Sequence, residues 1–180
     1  MKSIWNPRPA TEEYGSFYQK YIDKLPPGNV IDILVKQRDE VCTLIDSLDE
    51  KKALSRYKEG KWTVKEVIGH LIDNERVFSV RALAISRNDP GELPGYDQEA
   101  YVRESNLNQR SLQNLQGEYE GLRTSNIQMF SGFSEQMLNR TGIANNYSLS
   151  VRAIPFIIAG HERHHLELLE KRYEIELPGG

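Results

Sequence analysis

Gly160-His161-Glu162-Arg163-His164-His165 packs three of the chain's four histidines into five positions. The run lies inside an apolar segment, Ser150 to Tyr173, whose spacing predicts a helix, with Pro155 in the first turns where proline is best tolerated. With His161 as the zero of a wheel at about 100° per residue, His165 falls at about 40°, Ile154 at 20°, Ile158 at 60°, Leu168 at -20° and Leu169 at 80°. His161 and His165 therefore stand one above the other in the buried stripe. His164 falls at about -60°, at its edge. The i, i+4 spacing lets two imidazoles converge on one ion. A single inward histidine is usually a hydrogen-bonded core residue. For two adjacent buried imidazoles that account is harder to sustain, since both must stay neutral and find partners, whereas a metal satisfies both. Glu162 follows His161 as in helical metalloproteases, but it lies about 100° around the helix and the rest of that pattern is absent.

Two histidines need a third donor. His70 is the one remaining histidine, and the single cysteine, Cys42, cannot build a thiolate site. His70 sits in a second predicted helix whose start is marked by Thr63-Val64-Lys65-Glu66, a capping box in which the Thr hydroxyl and Glu carboxylate each satisfy an unpaired backbone N-H. This helix is expected to run to Arg87, before Asn88-Asp89-Pro90-Gly91. Thr63, Val67, His70, Asn74, Val77, Phe78, Arg81 and Ile85 share one face of it. His70 thus faces the core, and Asn74 and Arg81 on the same stripe mark a candidate polar pocket, the alternative being that they satisfy local partners or sit at its open end.

Outward from these two helices, Asn29 to Leu48 reads as a first long helix with Cys42 as a buried small hydrophobe, and Asn108 to Phe130 as a third. In the third, Gly117 and Gly121 are expected to allow close helix packing. Tyr14 to Leu25 predicts a short aromatic-faced helix ended by Pro26-Pro27-Gly28, and 49 to 61 a loop. The connection 88–107 is long enough to carry the chain from one end of a bundle to the other, with one helical turn in it. Ser134 to Leu138 adds a turn of helix, Asn145-Asn146 a hairpin turn, and Leu177-Pro178-Gly179-Gly180 a tail. At 180 residues the chain is read as one all-α domain, 1–180. A net charge of -3 with both signs interspersed speaks against a nucleic-acid partner. No stretch is apolar enough for a signal peptide or a membrane span, so the expectation is a cytoplasmic protein acting on a small molecule.

Gly69-His70-Leu71 with Asp73 and Glu75 behind Lys61-Trp62-Thr63-Val64-Lys65-Glu66, Ala159 to His165, Leu93-Pro94-Gly95-Tyr96-Asp97-Gln98 and Arg8-Pro9 together resemble the DinB-like (DinB/YfiT) superfamily over nearly the whole length. The resemblance implies a four-helix bundle with a long crossover between helices 2 and 3, often a homodimer. It also implies one divalent metal on His70, His161 and His165, which leaves His164 a neighbour. Imidazole suits nickel, zinc and iron alike. Some members of the family are transferases using a low-molecular-weight thiol such as bacillithiol, mycothiol or glutathione, and others are named metal-dependent hydrolases. A metal with open positions can hold a thiol as thiolate or lower the pKa of water to about 7, so the expectation is a thiol S-transferase, with hydrolysis or a non-catalytic metal-binding bundle as alternatives. Arg81 or Asn74 would orient a carboxylate or amide of the small molecule.

Overall fold

The computed structural model describes residues 3–178, so Gly179 and Gly180 of the expected tail lie outside it. Its α-helices are α1 (Gln19–Ile22), α2 (Val30–Ser47), α3 (Glu50–Ala53), α4 (Val64–Ser86), α5 (Gln98–Glu104), α6 (Leu112–Ser131), α7 (Glu135–Leu138) and α8 (Ala153–Tyr173). One antiparallel hairpin joins β1 (Thr141–Ala144) to β2 (Tyr147–Ser150).

The long helices α2, α4, α6 and α8 form the bundle. Helices α2 and α4 each pack against both α6 and α8. Helices α2 and α4 therefore face each other across one diagonal of the bundle and α6 and α8 across the other, while α4 and α6 are neighbours. A tight turn cannot span a diagonal, which accounts for the length of the α2–α4 and α6–α8 connections.

Local chemistry sets the helix ends. Thr63 and Glu66 form the capping box, with Thr63 N donating to Glu66 Oε2 at 2.7 Å and Glu66 N to Thr63 Oγ1 at 3.1 Å. The Asn29 side chain accepts from Ile31 N to start α2. Other boundaries differ from the sequence-based expectation. Asp49 caps the additional helix α3 by accepting from Lys52 N at 2.7 Å, and Ala53 is buried beneath it. Helix α6 begins four residues late because the Ser111 side chain caps it, leaving Leu107–Gln109 as a separate 3-10 turn. Ser150 ends β2, and its hydroxyl accepts from Ala153 N, so α8 starts there. The crossover carries two turns of helix in α5 rather than one. The aromatic segment is a 3-10 turn, Ser16–Tyr18, running into the single turn of α1; Tyr14, Ile22 and Leu25 are buried but Phe17 is exposed.

Gly117 and Gly121 do not serve close packing, since a Cβ built at either meets nothing within 4 Å. Both lie on the solvent face of α6. Cys42 is half-buried against apolar neighbours, and burial, helped by Glu120, pushes its thiol up to about 11. It stays protonated, in line with a packing role.

The apolar core falls into two clusters along the bundle. One holds Leu34, Phe78, Phe130 and Ile154 to Ala159 apart from Pro155; the other holds Leu44, Ile68, Ile72, Leu115, Tyr119, Leu166 and Leu169. Between them every long helix contributes buried polar side chains: Gln37, then His70, Asn74 and Glu75, then Arg123 and Asn126, then His161, Glu162 and His165. This polar layer holds the candidate site.

Candidate metal centre

His70 comes from α4 and His161 and His165 from α8, two helices in direct contact. His161 Nε2 lies 3.1 Å from His70 Nε2 and 3.1 Å from His165 Nε2. The three rings stand edge to face, with centroids 4.5 to 4.9 Å apart. Nitrogens 2.0–2.1 Å from one ion at tetrahedral angles would lie roughly 3.3 Å apart, and the two spacings from His161 match this to within a few tenths of an ångström. Hydrogen bonding satisfies the cluster poorly. A single lone pair or proton on His161 Nε2 cannot serve two neighbours well, and buried His165 Nδ1 has no partner. Among the described residues no acidic or thiol side chain joins the three, so an ion held there would keep open positions.

Burial lowers the pKa of His70 to about 4. It holds His161 and His165 well below the usual imidazole range too, with the neighbouring histidines adding to the effect. All three are therefore neutral near pH 7, the protonation state a metal requires. In the metal-free chain the unfolded state binds more protons between the folded and unfolded pKa values. Stability from these residues is complete above about pH 6.5 and is lost as pH falls toward 4, by about 3 kcal/mol for His70 alone. Urea unfolding of the metal-free protein at pH 7.5, 6 and 5 should show this decline. A flat profile would contradict it.

Neighbouring side chains close the flanks. The Trp62 ring lies 4.9 Å from His70, and the Tyr21 ring packs edge-on against both His161 and His164 at 5.4 Å. His164 is half-buried and outside the triad, as the helical phase anticipated. Gly160 permits the approach of Tyr21, because a Cβ there would stand 2.3 Å from the Tyr21 carbonyl oxygen, with backbone on both sides. Gly160→Ala should push α1 off α8 and destabilise the fold by about 2 kcal/mol or more, measurable by urea unfolding, while exposing His161 to solvent.

Asn74 and Arg81 do line a pocket. A cavity of ≈150 Å³ lies between them, His161 and the aromatic rings of Tyr18, Phe78 and Tyr96. Its roof is the crossover, tied to the hairpin by Leu93 N donating to Ile143 O and Asn145 N to Leu93 O, both at 2.9 Å. Asn145 and Asn146 turn the hairpin with φ of 52° and 66°, the left-handed pair such a two-residue turn requires. Asn74 Nδ2 donates to Tyr96 Oη at 2.9 Å and Arg81 Nη2 to Pro94 O at 2.8 Å, so α4 grips this roof from below. A second cavity of ≈220 Å³ reaches His165 from the side of Trp62, Lys61 and Tyr173, and Gln98 of α5 lies on both.

Sequence reasoning missed the other half of the polar layer. Arg123 is fully buried and donates through Nε to Glu75 at 2.9 and 3.0 Å and through Nη2 to Glu162 at 2.7 Å. Tyr119 Oη donates to Glu162 at 2.8 Å, Asn126 Nδ2 to Glu75 at 3.0 Å, and Arg123 Nη1 to Leu34 O at 3.3 Å. One guanidinium thereby joins all four long helices. Burial works against its charge, but Glu162 and Glu75 outweigh it and raise its pKa. Burial also raises the pKa of Glu162, against the pull of Arg123. Glu162 thus has structural partners in Arg123 and Tyr119 about 100° around α8 from His161, and this pairing holds the rotation that points the histidines at α4. The signal was available: Arg123 and Asn126 fall in phase with the buried Tyr119 and Phe130, whereas the adjacent Leu122 is only partly buried.

Comparison with known proteins agrees with this architecture. A protein of Oceanobacillus iheyensis, named provisionally as a metal-dependent hydrolase, is 26% identical over 131 residues, covering 68% of this chain and 70% of its own. A Bacillus cereus protein of the same designation is 30% identical over 96 residues, 53% of this chain and 48% of its own, so the chain spans about half the length of that relative. YfiT from Bacillus subtilis, described as a probable metal-dependent hydrolase with an unusual four-helix bundle topology, superposes with a TM-score of 0.70 at 15% identity over 95% of both chains. The family model of the DinB superfamily matches residues 33–169, and the chain belongs to that superfamily.

Proposed function

We propose that the protein is a metal-dependent enzyme in which His70, His161 and His165 hold one divalent transition ion, with open positions for substrate. The convergence of three neutral, buried imidazoles with no fourth protein donor among the described residues carries this reading. Three imidazoles suit zinc, nickel or iron. An ion so held would supply Lewis acidity and lower the pKa of a water or thiol nucleophile. The chain's own residues hold the imidazoles neutral, exclude water with Tyr21 and Trp62, and orient the substrate from Asn74 and Arg81.

Hydrolysis is the chemistry that the names of the relatives support. Transfer to a low-molecular-weight thiol is the second reading. It is favoured by the two cavities that approach the triad from the His161 side and the His165 side, which suit two co-substrates bound at once.

Metal-depleted protein reloaded with zinc, nickel or iron separates the two. Metal-dependent cleavage of p-nitrophenyl acetate, absent in His161→Ala, would support hydrolysis. Metal-dependent conjugation of monochlorobimane to bacillithiol, mycothiol or glutathione would support transfer. Absence of both, with chelator melting the fold, would indicate a structural ion instead.

A further inference from the structure

Five Asp, Glu, Lys or Arg side chains are buried among the described residues: Lys65, Glu75, Arg81, Arg123 and Glu162. Lys65 pairs with Glu50, and Arg123 with Glu75 and Glu162. Arg81, 4% exposed, has no carboxylate within ion-pair distance among the described residues. Its guanidinium donates to the Pro94 carbonyl and lies over the Phe78 ring at 4.8 Å, and its Nε has no partner among the described residues. A buried cation in this state is costly until an anion joins it.

The cavity beside it has no acidic residue in its wall, and its polar groups include the phenols of Tyr18 and Tyr96 and the amide of Asn74. At ≈150 Å³ it matches the size of an engineered cavity that holds benzene, a body of about six heavy atoms. A planar guanidinium fork fits a planar carboxylate in bidentate fashion. One positive charge matches one negative charge, which favours a monocarboxylate over a phosphate dianion.

We propose that this cavity is the subsite for a small, ring-sized monocarboxylate, anchored by Arg81 with its other end toward His161. The link to catalysis rests on the metal-centre reading, but anion binding here needs no ion.

The test is titration of the metal-free protein with benzoate, its neutral analogue benzamide, and inorganic phosphate, read by calorimetry and thermal shift. Benzoate is expected to bind saturably, with benzamide and phosphate each at least about tenfold weaker. Arg81→Gln should lose benzoate affinity by a similar factor, and Arg81→Lys, which keeps charge but not the fork, should fall between. Should Arg81→Gln fail to fold for want of its bond to Pro94, Asn74→Asp retains that bond and places a carboxylate in the same cavity. It should weaken benzoate at least about tenfold. Equal binding of benzoate and benzamide, tighter binding of phosphate, no binding of benzoate, or undiminished affinity in both Arg81→Gln and Asn74→Asp would overturn the proposal. Metal content is measured separately, so failure of the carboxylate subsite and failure of the histidine assignment remain distinguishable.

Discussion

Arg123→Met is expected to cost about 3–5 kcal/mol of folding stability, because it removes the cation that neutralises Glu75 and Glu162 and leaves two carboxylates buried. Urea unfolding monitored by circular dichroism would measure it. The charges decide the effect more than the shape does, so the triple variant Arg123→Met, Glu75→Gln, Glu162→Gln should recover a large part of the loss. If the single variant were as stable as wild type, the node would contribute no net pairing and Glu162 could not be what fixes the rotation of α8.

His161→Ala is expected to reduce bound metal from about one equivalent to below about a tenth, since a two-histidine remnant lacks the donors a transition ion needs. His161 is the central member of the triad, 3.1 Å from both partners, so its loss removes the donor closest to each of the other two. Elemental analysis of protein purified without a histidine tag would measure the change. His164→Ala supplies the control. Its ring packs edge-on against Tyr21 and His165 but is not part of the ligand group, and the variant should retain a full equivalent.

The long helices and the histidine triad could be read from the residues because both rest on helical phase, which depends only on order along the chain. Capping at Thr63 is equally local, and the structure reproduces it. Asn74 and Arg81 announced themselves as polar residues on an apolar stripe and do line one cavity. Arg123 sent the same signal from α6, but its meaning depended on partners 39 and 48 residues away.

By itself the sequence determined four amphipathic segments, the inward face of His70, His161 and His165, the hairpin turn at Asn145-Asn146 and the lack of any thiolate donor set. Only the tertiary structure decided that α2 lies diagonal to α4 and α6 to α8, which sets α4 against α8 and brings His70 to His161 across 91 residues. It also decided that Gly160 serves contact with Tyr21 while Gly117 and Gly121 face solvent. The physical reason is that periodicity reports which face of a helix is buried but not which neighbour buries it. That choice is made by packing and by buried charges finding partners, and in this chain the Arg123 node and the histidine triad make it in the same layer of the bundle.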